Sequence, residues 1–409
     1  MRIVSERIPG VRSAALGIWV KVGSRHETAA ENGISHFIEH MAFKGTATRS
    51  ALDISRTIEQ GGGFINAFTG RELTCFYVHV LDEQLPQAFE ILADILANSV
   101  FDPAEIEKEK QIVLDEIRDH EDMPDDVAHE FFVKEIFGKH PLARPILGSP
   151  SNVRGFNRNL MVNFIERQYV PTGVVVAAAG NITHQALLKL AKDRLKFSPG
   201  RRSRSTEKIG DLVPRTKRHG RPIQQAHMII GSRGLAFNSP ERFTLSVMNT
   251  VLGGGMSSRL FQNIREKHGI AYSVYSFSEA LGDTGLIGVY LATDKDRLNR
   301  ARDMVLDEFH RLRDVPVSRE EIEGVKTQIK GNIMLGMESV SNRMMRLARM
   351  EIYLRRYSSL EEVSRHIDGV TPKGVQALAR QLLPVNRLIT MIVEPERKSS
   401  TRQERARVQ

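Results

Sequence analysis

The sequence is poor in cysteine, and its one cysteine, Cys75, excludes an internal disulfide. This scarcity is typical of proteins from a reducing compartment. The sequence also lacks any run of about 18 apolar residues, so it predicts no membrane-spanning helix and no membrane partner. Residues 1–4 lead directly into sequence of folded character, without a leader pattern. We therefore expect a cytoplasmic protein.

Negative charge is scarcer than positive charge, and the formal net charge is +9. The excess is confined to residues 198–222, which contribute +6, and residues 397–409, which contribute +4, so the rest of the chain is near neutral. Neither segment carries the interleaved aromatic residues of a nucleic-acid-binding surface. We interpret them as a basic linker and a basic flexible tail, and we expect no nucleic-acid partner.

At 409 residues the chain is too long for one compact core. The patterns of the first half predict strands and helices in mixed order. The predicted strands are 15–23, 64–69, 73–80 and 174–179, and the predicted helices after the first glycine-rich turn are 83–98, 103–121, 125–137, 158–168 and 183–195.

The second half repeats the order of the first. Residues 102–107 are echoed by residues 318–323 at an offset of 216, and Pro171, before one apolar strand, is echoed by Pro384 before another. We therefore predict an α+β protein of two duplicated domains, each a largely antiparallel sheet flanked by helices. The expected boundaries are an N-terminal catalytic domain at 1–197, the linker at 198–222, a homologous inactive domain at 223–396 and the tail at 397–409.

A short helical pattern at residues 35–44 carries the strongest chemical signal. His36 and His40 are four residues apart, so a helix places both imidazoles on one face, close enough to bind one metal ion. Glu39 lies beside them and can reach a metal-bound water. The H-x-x-E-H pattern is a zinc-hydrolase signature. The alternative is a core helix whose histidines make ordinary hydrogen bonds.

A catalytic zinc needs a third protein ligand, and the helix predicted at 103–121 offers two. Glu109 and Glu116 are two turns apart on its apolar face, where carboxylates are costly unless paired or metal-bound. One of the two would bind the metal and the other would support it. Their counterparts at offset 216 are Val325 and Asn332, so the fold itself does not require these carboxylates.

Several segments together resemble the pitrilysin-type (M16) zinc metallopeptidases. They are residues 36–46, 62–67, 140–142 and 265–272, and the similarity is strongest to the mitochondrial processing peptidase beta subunit and its bacterial homologues. The missing organellar presequence favours a bacterial relative. The resemblance implies two duplicated domains that close like a clam shell over one zinc ion per chain.

The resemblance also implies roles for individual residues. His36, His40 and Glu116 would bind zinc, Glu39 would be the general base and Glu109 would support the site. Arg265 and Tyr272, from the second domain, would stabilise the oxyanion. Without the resemblance, an ordinary surface arginine and a core tyrosine would be the simpler interpretation of that pair.

Five further residues are candidates for substrate binding. Asn66 and Ala67 lie on a predicted edge strand that could add an extended peptide as a further strand, and Phe43 could line a pocket beside the metal. Asp126 and Glu130 match positions at which processing peptidases bind a substrate arginine, although a solvated acidic helix face is an equal alternative.

We therefore predict a zinc-dependent endopeptidase that acts on short or unfolded polypeptides and prefers basic residues near the cleavage site. Its expected partners are an extended peptide substrate and either a second copy of the chain or a homologous subunit. The alternative function is a non-catalytic scaffold or partner subunit of a processing-peptidase-like complex.

Overall fold

A computed structural model describes residues 1–200 and 207–396. The predicted tail and residues 201–206 of the predicted linker lie outside the described residues. The chain divides into two compact units. Unit 1 comprises Met1–Asp119, Phe137–Gly210 and Lys330–Arg365, and unit 2 comprises His120–Ile136, Asp211–Ile329 and the chain from His366 onward.

Unit 1 contains a five-stranded sheet in the order β1-β5-β2-β4-β3. The pair β1 and β5 is parallel and the other pairs are antiparallel. The predicted strands of the first half are confirmed, and β1 is an addition to them. The strands are β1 (Arg2–Arg7), β2 (Ser13–Val20), β3 (Phe64–Thr69), β4 (Thr74–Leu81) and β5 (Val174–Gly180).

Unit 2 contains a second five-stranded sheet in the corresponding order, β6-β10-β7-β9-β8. Again one edge pair, β6 with β10, is parallel and the rest are antiparallel. The predicted α+β fold with two largely antiparallel sheets is therefore confirmed. The strands are β6 (Arg215–Arg221), β7 (Ala226–Gly234), β8 (Ser273–Ala280), β9 (Gly285–Thr293) and β10 (Ile389–Pro395).

The expected linker at 198–222 is wrong for its last part, because β6 lies there. The basic side chains of β6 do not prevent strand formation, since β6 is an edge strand whose outer side can face solvent. Its Arg218 pairs with Glu394 of β10 at 2.9 Å. Composition alone suggested a linker because the strand carries no alternating apolar pattern.

The described residues form fourteen α-helices around these sheets, and a π-helical segment spans Phe261–Lys267. None of the helices in the described part of the chain is long and apolar enough to cross a membrane. The helices are α1 (Ile34–Ala42), α2 (Ala51–Gln60), α3 (Leu85–Ala97), α4 (Pro103–Asp122), α5 (Pro124–Phe137), α6 (Pro150–Gly155), α7 (Arg158–Gln168), α8 (His184–Arg194), α9 (Arg242–Gly253), α10 (Leu298–Asp314), α11 (Arg319–Gly336), α12 (Val340–Tyr353), α13 (Leu360–Asp368) and α14 (Pro372–Leu382).

The core of unit 1 has two layers, one on each face of its sheet. One face packs against α1, α2, α3 and neighbouring helices, and the other packs against α12. Trp19 of β2 is buried on the α12 side, and its ring lies over Gly17. A Cβ atom at position 17 would lie 2.4 Å from the ring, so glycine is needed there.

Each unit contains one helix from the half of the sequence that forms most of the other unit. Helix α12 lies within the predicted second domain, yet Met344 and Ala348 are fully buried on the sheet of unit 1. Helix α5 precedes that domain, yet Phe132 is fully buried in unit 2, with its ring 5.9 Å from that of Phe277. The predicted domains 1–197 and 223–396 differ from the compact units at these two segments.

Candidate metal centre

Helix α1 is short, and its two sides differ in character. Gly33 precedes it with φ at 98°, a conformation that glycine adopts without strain. Ile34, Phe37 and Met41 are buried in the core of unit 1. The opposite side carries His36, Glu39 and His40. The predicted helix is thus confirmed, with Ala42 as its last residue.

Two imidazoles of α1 and one carboxylate of α4 converge. The Nε2 atoms of His36 and His40 each lie 3.6 Å from Oε2 of Glu116. A tetrahedral zinc ion with ligand bonds of about 2.0–2.1 Å separates its ligand atoms by about 3.3 Å. The spacing and the donor types, two imidazoles and one carboxylate, therefore fit a catalytic zinc ion that keeps a further position open.

This is the one group of three or more His, Cys, Asp or Glu side chains in metal-binding proximity among the described residues. The two glutamates of α4 differ in their positions relative to this group. Glu116 joins the histidines, whereas Glu109 does not belong to the cluster.

The protonation of the histidines bears on metal binding. Burial, with a smaller contribution from His40, lowers the pKa of His36 to about 3, so its imidazole is neutral at neutral pH and has a lone pair to give. Burial also opposes charge on His40, but the hydrogen bond to Glu109 and the nearby Glu116 outweigh it and raise its pKa. A metal ion would therefore compete with a proton for His40.

Glu109 contacts the His40 ring at Nδ1, the nitrogen that does not face Glu116. It is buried, its Oε1 lies 2.8 Å from Nδ1 of His40, and its Oε2 lies 2.6 Å from Nζ of Lys44. Burial alone would raise the pKa of Glu109, but these two contacts lower it. The carboxylate fixes the His40 ring with Nε2 toward Glu116, as histidine ligands of metals usually require. Sequence reasoning missed Lys44.

Glu39 is placed to act as a base without joining the ligands. Its carboxylate is half-buried, and Oε2 accepts a hydrogen bond of 2.5 Å from the hydroxyl of Thr69. Burial raises the pKa of Glu39, and the hydrogen bond from Thr69 offsets only part of that rise. A raised pKa brings a carboxylate closer to the range of an effective base near neutral pH.

Glu27 is a second residue that sequence reasoning missed. Its buried carboxylate accepts hydrogen bonds from the backbone N–H groups of Gly33 at 2.8 Å and Ser35 at 2.9 Å, and from the Asn32 side chain at 2.8 Å. It therefore caps the N-terminus of α1, where Gly33 has no side chain to do so. A metal-site helix that begins after glycine, without a capping residue, is the signal that could have led to it.

The candidate substrate residues of unit 1 lie at the sheet edge. In the described structure β3 pairs only with β4, so its outer side is open to a further strand. Asn66 is exposed and its Oδ1 accepts from the N–H of Ala67 at 2.8 Å. Phe43 follows α1 and is partly buried, with its ring 6.3 Å from that of Phe76.

The remaining predicted residues belong to unit 2. The Arg265 guanidinium lies on the π-helical segment between two aromatic rings, 4.8 Å from the centre of Phe261 and 4.5 Å from that of Tyr272. Tyr272 is 78% exposed, so it is not the core tyrosine of the simpler interpretation. Asp126 and Glu130 lie on α5, and Glu130 is 3.7 Å from His120.

Comparison with known proteins places this site in a family. Residues 2–150 match the description "Insulinase (Peptidase family M16)", and residues 155–329 match "Peptidase M16 inactive domain". A Bacillus subtilis protein named "Uncharacterized zinc protease YmxG" is 38% identical, over 96% of each chain.

Two solved structures show the same fold. One is described as the peptidase M16 inactive domain from Pseudomonas fluorescens, with a TM-score of 0.89, 20% identity and coverage of 97% of this chain and 95% of that one. The other is described as a protease from Helicobacter pylori, with a TM-score of 0.89, 18% identity and coverage of 96% of each chain.

Proposed function

The chain belongs to peptidase family M16, and we propose that it is a zinc-dependent endopeptidase with one zinc ion per chain. The observation that carries this proposal is the convergence of His36, His40 and Glu116 beside the half-buried carboxylate of Glu39. A protein that used the fold only as a scaffold would have no need to bring such a set together. The name of the Bacillus subtilis relative supports the same activity.

In this proposal the residues of unit 1 have different roles in peptide hydrolysis. His36, His40 and Glu116 would hold the zinc ion, which as a Lewis acid lowers the pKa of a bound water and polarises the peptide carbonyl. Glu39 accepts the proton of the attacking water and later donates it to the leaving amine. Glu109 keeps the His40 imidazole in the orientation and tautomer that a ligand needs.

We further propose that the substrate is an extended segment of a short or unfolded polypeptide. The open edge of β3 supports this, because an added strand is held mainly through its backbone and tolerates varied sequence. Asn66 and Ala67 would contact the peptide backbone and Phe43 a side chain next to the cleaved bond. A preference for nearby basic residues would come from Asp126 and Glu130.

Roles for Arg265 and Tyr272 follow from the family resemblance. Both are proposed to stabilise the negative charge that develops on the carbonyl oxygen. The exposure of Tyr272 and the position of Arg265 against its ring are compatible with groups that meet a substrate rather than the core.

We also propose a setting for the enzyme. It would act in the bacterial cytoplasm, without a nucleic-acid or membrane partner, as a homodimer or with a homologous subunit.

A non-catalytic scaffold or partner subunit is the second candidate. It is favoured by the description of the Pseudomonas fluorescens structure as an inactive domain. The two candidates differ in one respect that can be measured, namely whether Glu39 is needed for turnover.

The deciding experiment compares zinc-loaded wild type with Glu39→Gln on an arginine-containing, presequence-like peptide. Glu39→Gln should keep its zinc and lower kcat by about 10²–10⁴-fold, because it removes the general base. Equal cleavage by both proteins would indicate a contaminating protease and contradict the role of Glu39. No cleavage by either, with zinc bound, would favour the scaffold or a subunit that needs its partner.

A further inference from the structure

Thr69 connects the general base to the edge strand. It is the last residue of β3, and its hydroxyl lies 2.5 Å from Oε2 of Glu39 and 3.4 Å from the hydroxyl of Thr74. Thr74 is the residue opposite Thr69 in the β3–β4 pair and is fully buried. The hydroxyl of Thr74 is also 2.9 Å from the backbone carbonyl of Val22.

The direction of these hydrogen bonds follows from counting protons. Each threonine hydroxyl has one proton to donate. A carbonyl can only accept, so the proton of Thr74 points to Val22 and is not available to Thr69. The proton of Thr69 points to Oε2 of Glu39, because this carboxylate oxygen lies 2.5 Å away and the hydroxyl of Thr74 lies 3.4 Å away. Oε2 therefore acts as an acceptor. The other carboxylate oxygen, Oε1, is the one left to take a proton.

The position of Thr69 on the strand has a second consequence. Side chains alternate along β3, so Ile65 and Ala67 face the core beside α1, and Thr69 falls on that same side. A peptide that pairs with β3 holds the backbone of the strand that carries this hydroxyl. The hydrogen bond between Thr69 and Glu39 thus links the strand at which the substrate would bind to the carboxylate that would accept the proton of the attacking water.

We propose that Thr69 is a positioning residue, which holds Glu39 by Oε2, presents Oε1 to the attacking water and ties the base to the substrate-binding strand. The proposal rests on the proposed function. It assigns to Thr69 no contact with the substrate or the metal. Its effect on the reaction passes through Glu39.

The test uses two substitutions with opposite effects on the hydroxyl. Thr69→Val keeps the shape and removes the donor, whereas Thr69→Ser keeps the donor. We expect Thr69→Val to lower kcat by roughly 10–100-fold, the loss usual for groups that orient catalytic residues. Its KM should stay within about twofold of wild type, because the backbone edge of β3 is intact, and Thr69→Ser should recover most of kcat.

Two further measurements do not depend on activity. Bound zinc, measured by mass spectrometry, should be the same in Thr69→Val and wild type. Thermal unfolding of wild type, Thr69→Val, Glu39→Ala and the double variant should show that Thr69→Val lowers Tm less when Glu39 is absent. Thr216→Val, at an exposed threonine of β6, is the matched control and should behave as wild type.

The outcomes separate this proposal from the proposed function. Turnover by Thr69→Val at the wild-type kcat, equal loss in Thr69→Ser, or equal Tm changes with and without Glu39 would each overturn the role of Thr69 alone. A wild-type protein that cleaves no peptide, either alone or with a homologous subunit, would refute the proposed function and with it the catalytic role of Thr69. In that case the thermal cycle would still show whether the two side chains interact.

Discussion

The two units share one architecture, but among the residues that the structure describes only unit 1 brings three metal-binding side chains together. Each has five strands in the corresponding order, with one parallel pair at an edge. Helices α4 and α11, related by the offset of 216 residues, even keep the same ion pair. Lys110 lies 2.7 Å from Glu107, and Lys326 lies 2.9 Å from Glu323.

The same two helices differ where the site would be. Glu109 and Glu116 of α4 correspond to Val325 and Asn332 of α11. The two helices share this ion pair, whereas the carboxylates at the candidate metal centre occur only in α4 of the two helices. The fold therefore does not require carboxylates at these positions, since unit 2 forms the corresponding sheet without them.

The largest expected effect is a complete loss of zinc from the double variant His36→Ala/His40→Ala. Removing both imidazoles leaves one carboxylate, too few ligands for tight binding. Zinc per chain, measured after dialysis, should fall from one to none. His129→Ala/His227→Ala in unit 2 is the matched control and should keep its zinc. Stoichiometric zinc in the first variant would contradict the assignment of the metal to unit 1.

A second prediction tests the exchange of helices. Met344→Ala on α12 should cost about 2–5 kcal/mol and Phe132→Ala on α5 about 3–5 kcal/mol, because both side chains are fully buried. Hydrogen exchange should show which sheet each helix stabilises. Met344→Ala should speed exchange in β2 and β5, and Phe132→Ala in β7 and β8. The reverse pattern would contradict the division into units.

A third prediction concerns Glu27, whose carboxylate caps the N-terminus of α1. Glu27→Gln should cost about 1–3 kcal/mol, since an amide cannot accept at both of its polar atoms and leaves a buried N–H of α1 without its acceptor. The helix start should loosen and zinc affinity, measured by chelator competition, should fall. Unchanged stability and affinity would show that the cap is dispensable.

The same variant has a pH dependence with a definite sign. Burial raises the pKa of Glu27 in the folded protein above its ordinary value, although hydrogen bonds from Asn32, Gly33 and Ser35 oppose the rise. A raised carboxyl pKa gives a contribution to stability that is complete below the unfolded pKa and is lost as pH rises through the folded one. The stability gap between wild type and Glu27→Gln should therefore narrow with rising pH. A gap that widens would contradict this assignment.

The smallest expected effect is at the basic edge of unit 2. Arg218 of β6 is half-exposed and pairs with Glu394, so Arg218→Ala should change stability by about 0–1 kcal/mol. Thermal unfolding in low and high salt measures it. Lys217→Ala, at an exposed position of the same strand, is the control. A large loss would mean that β6 depends on this pair rather than on its backbone pairing.

Local patterns in the sequence were enough to predict much of the fold and part of the candidate metal centre. The period of α1 and the spacing of His36, Glu39 and His40 are fixed by the geometry of a helix turn, so their common side could be predicted. The apolar runs and turn residues located most strands of the first half, and the echo at offset 216 revealed the duplication. The convergence of Glu116 with the two histidines agrees with the expectation drawn from the resemblance.

The tertiary structure decided what depends on partners far away in the chain. The basic segment at 215–221 becomes a strand because β10 pairs with it. Helices α5 and α12 belong to different units from their neighbours in the sequence, because their apolar side chains are buried there. Glu27, Lys44 and Thr69 contact α1 and α4 through hydrogen bonds and an ion pair that no local pattern in the sequence predicts. Hydrogen bonds and burial between distant segments are properties of the folded chain, whereas periodicity is already present in the sequence.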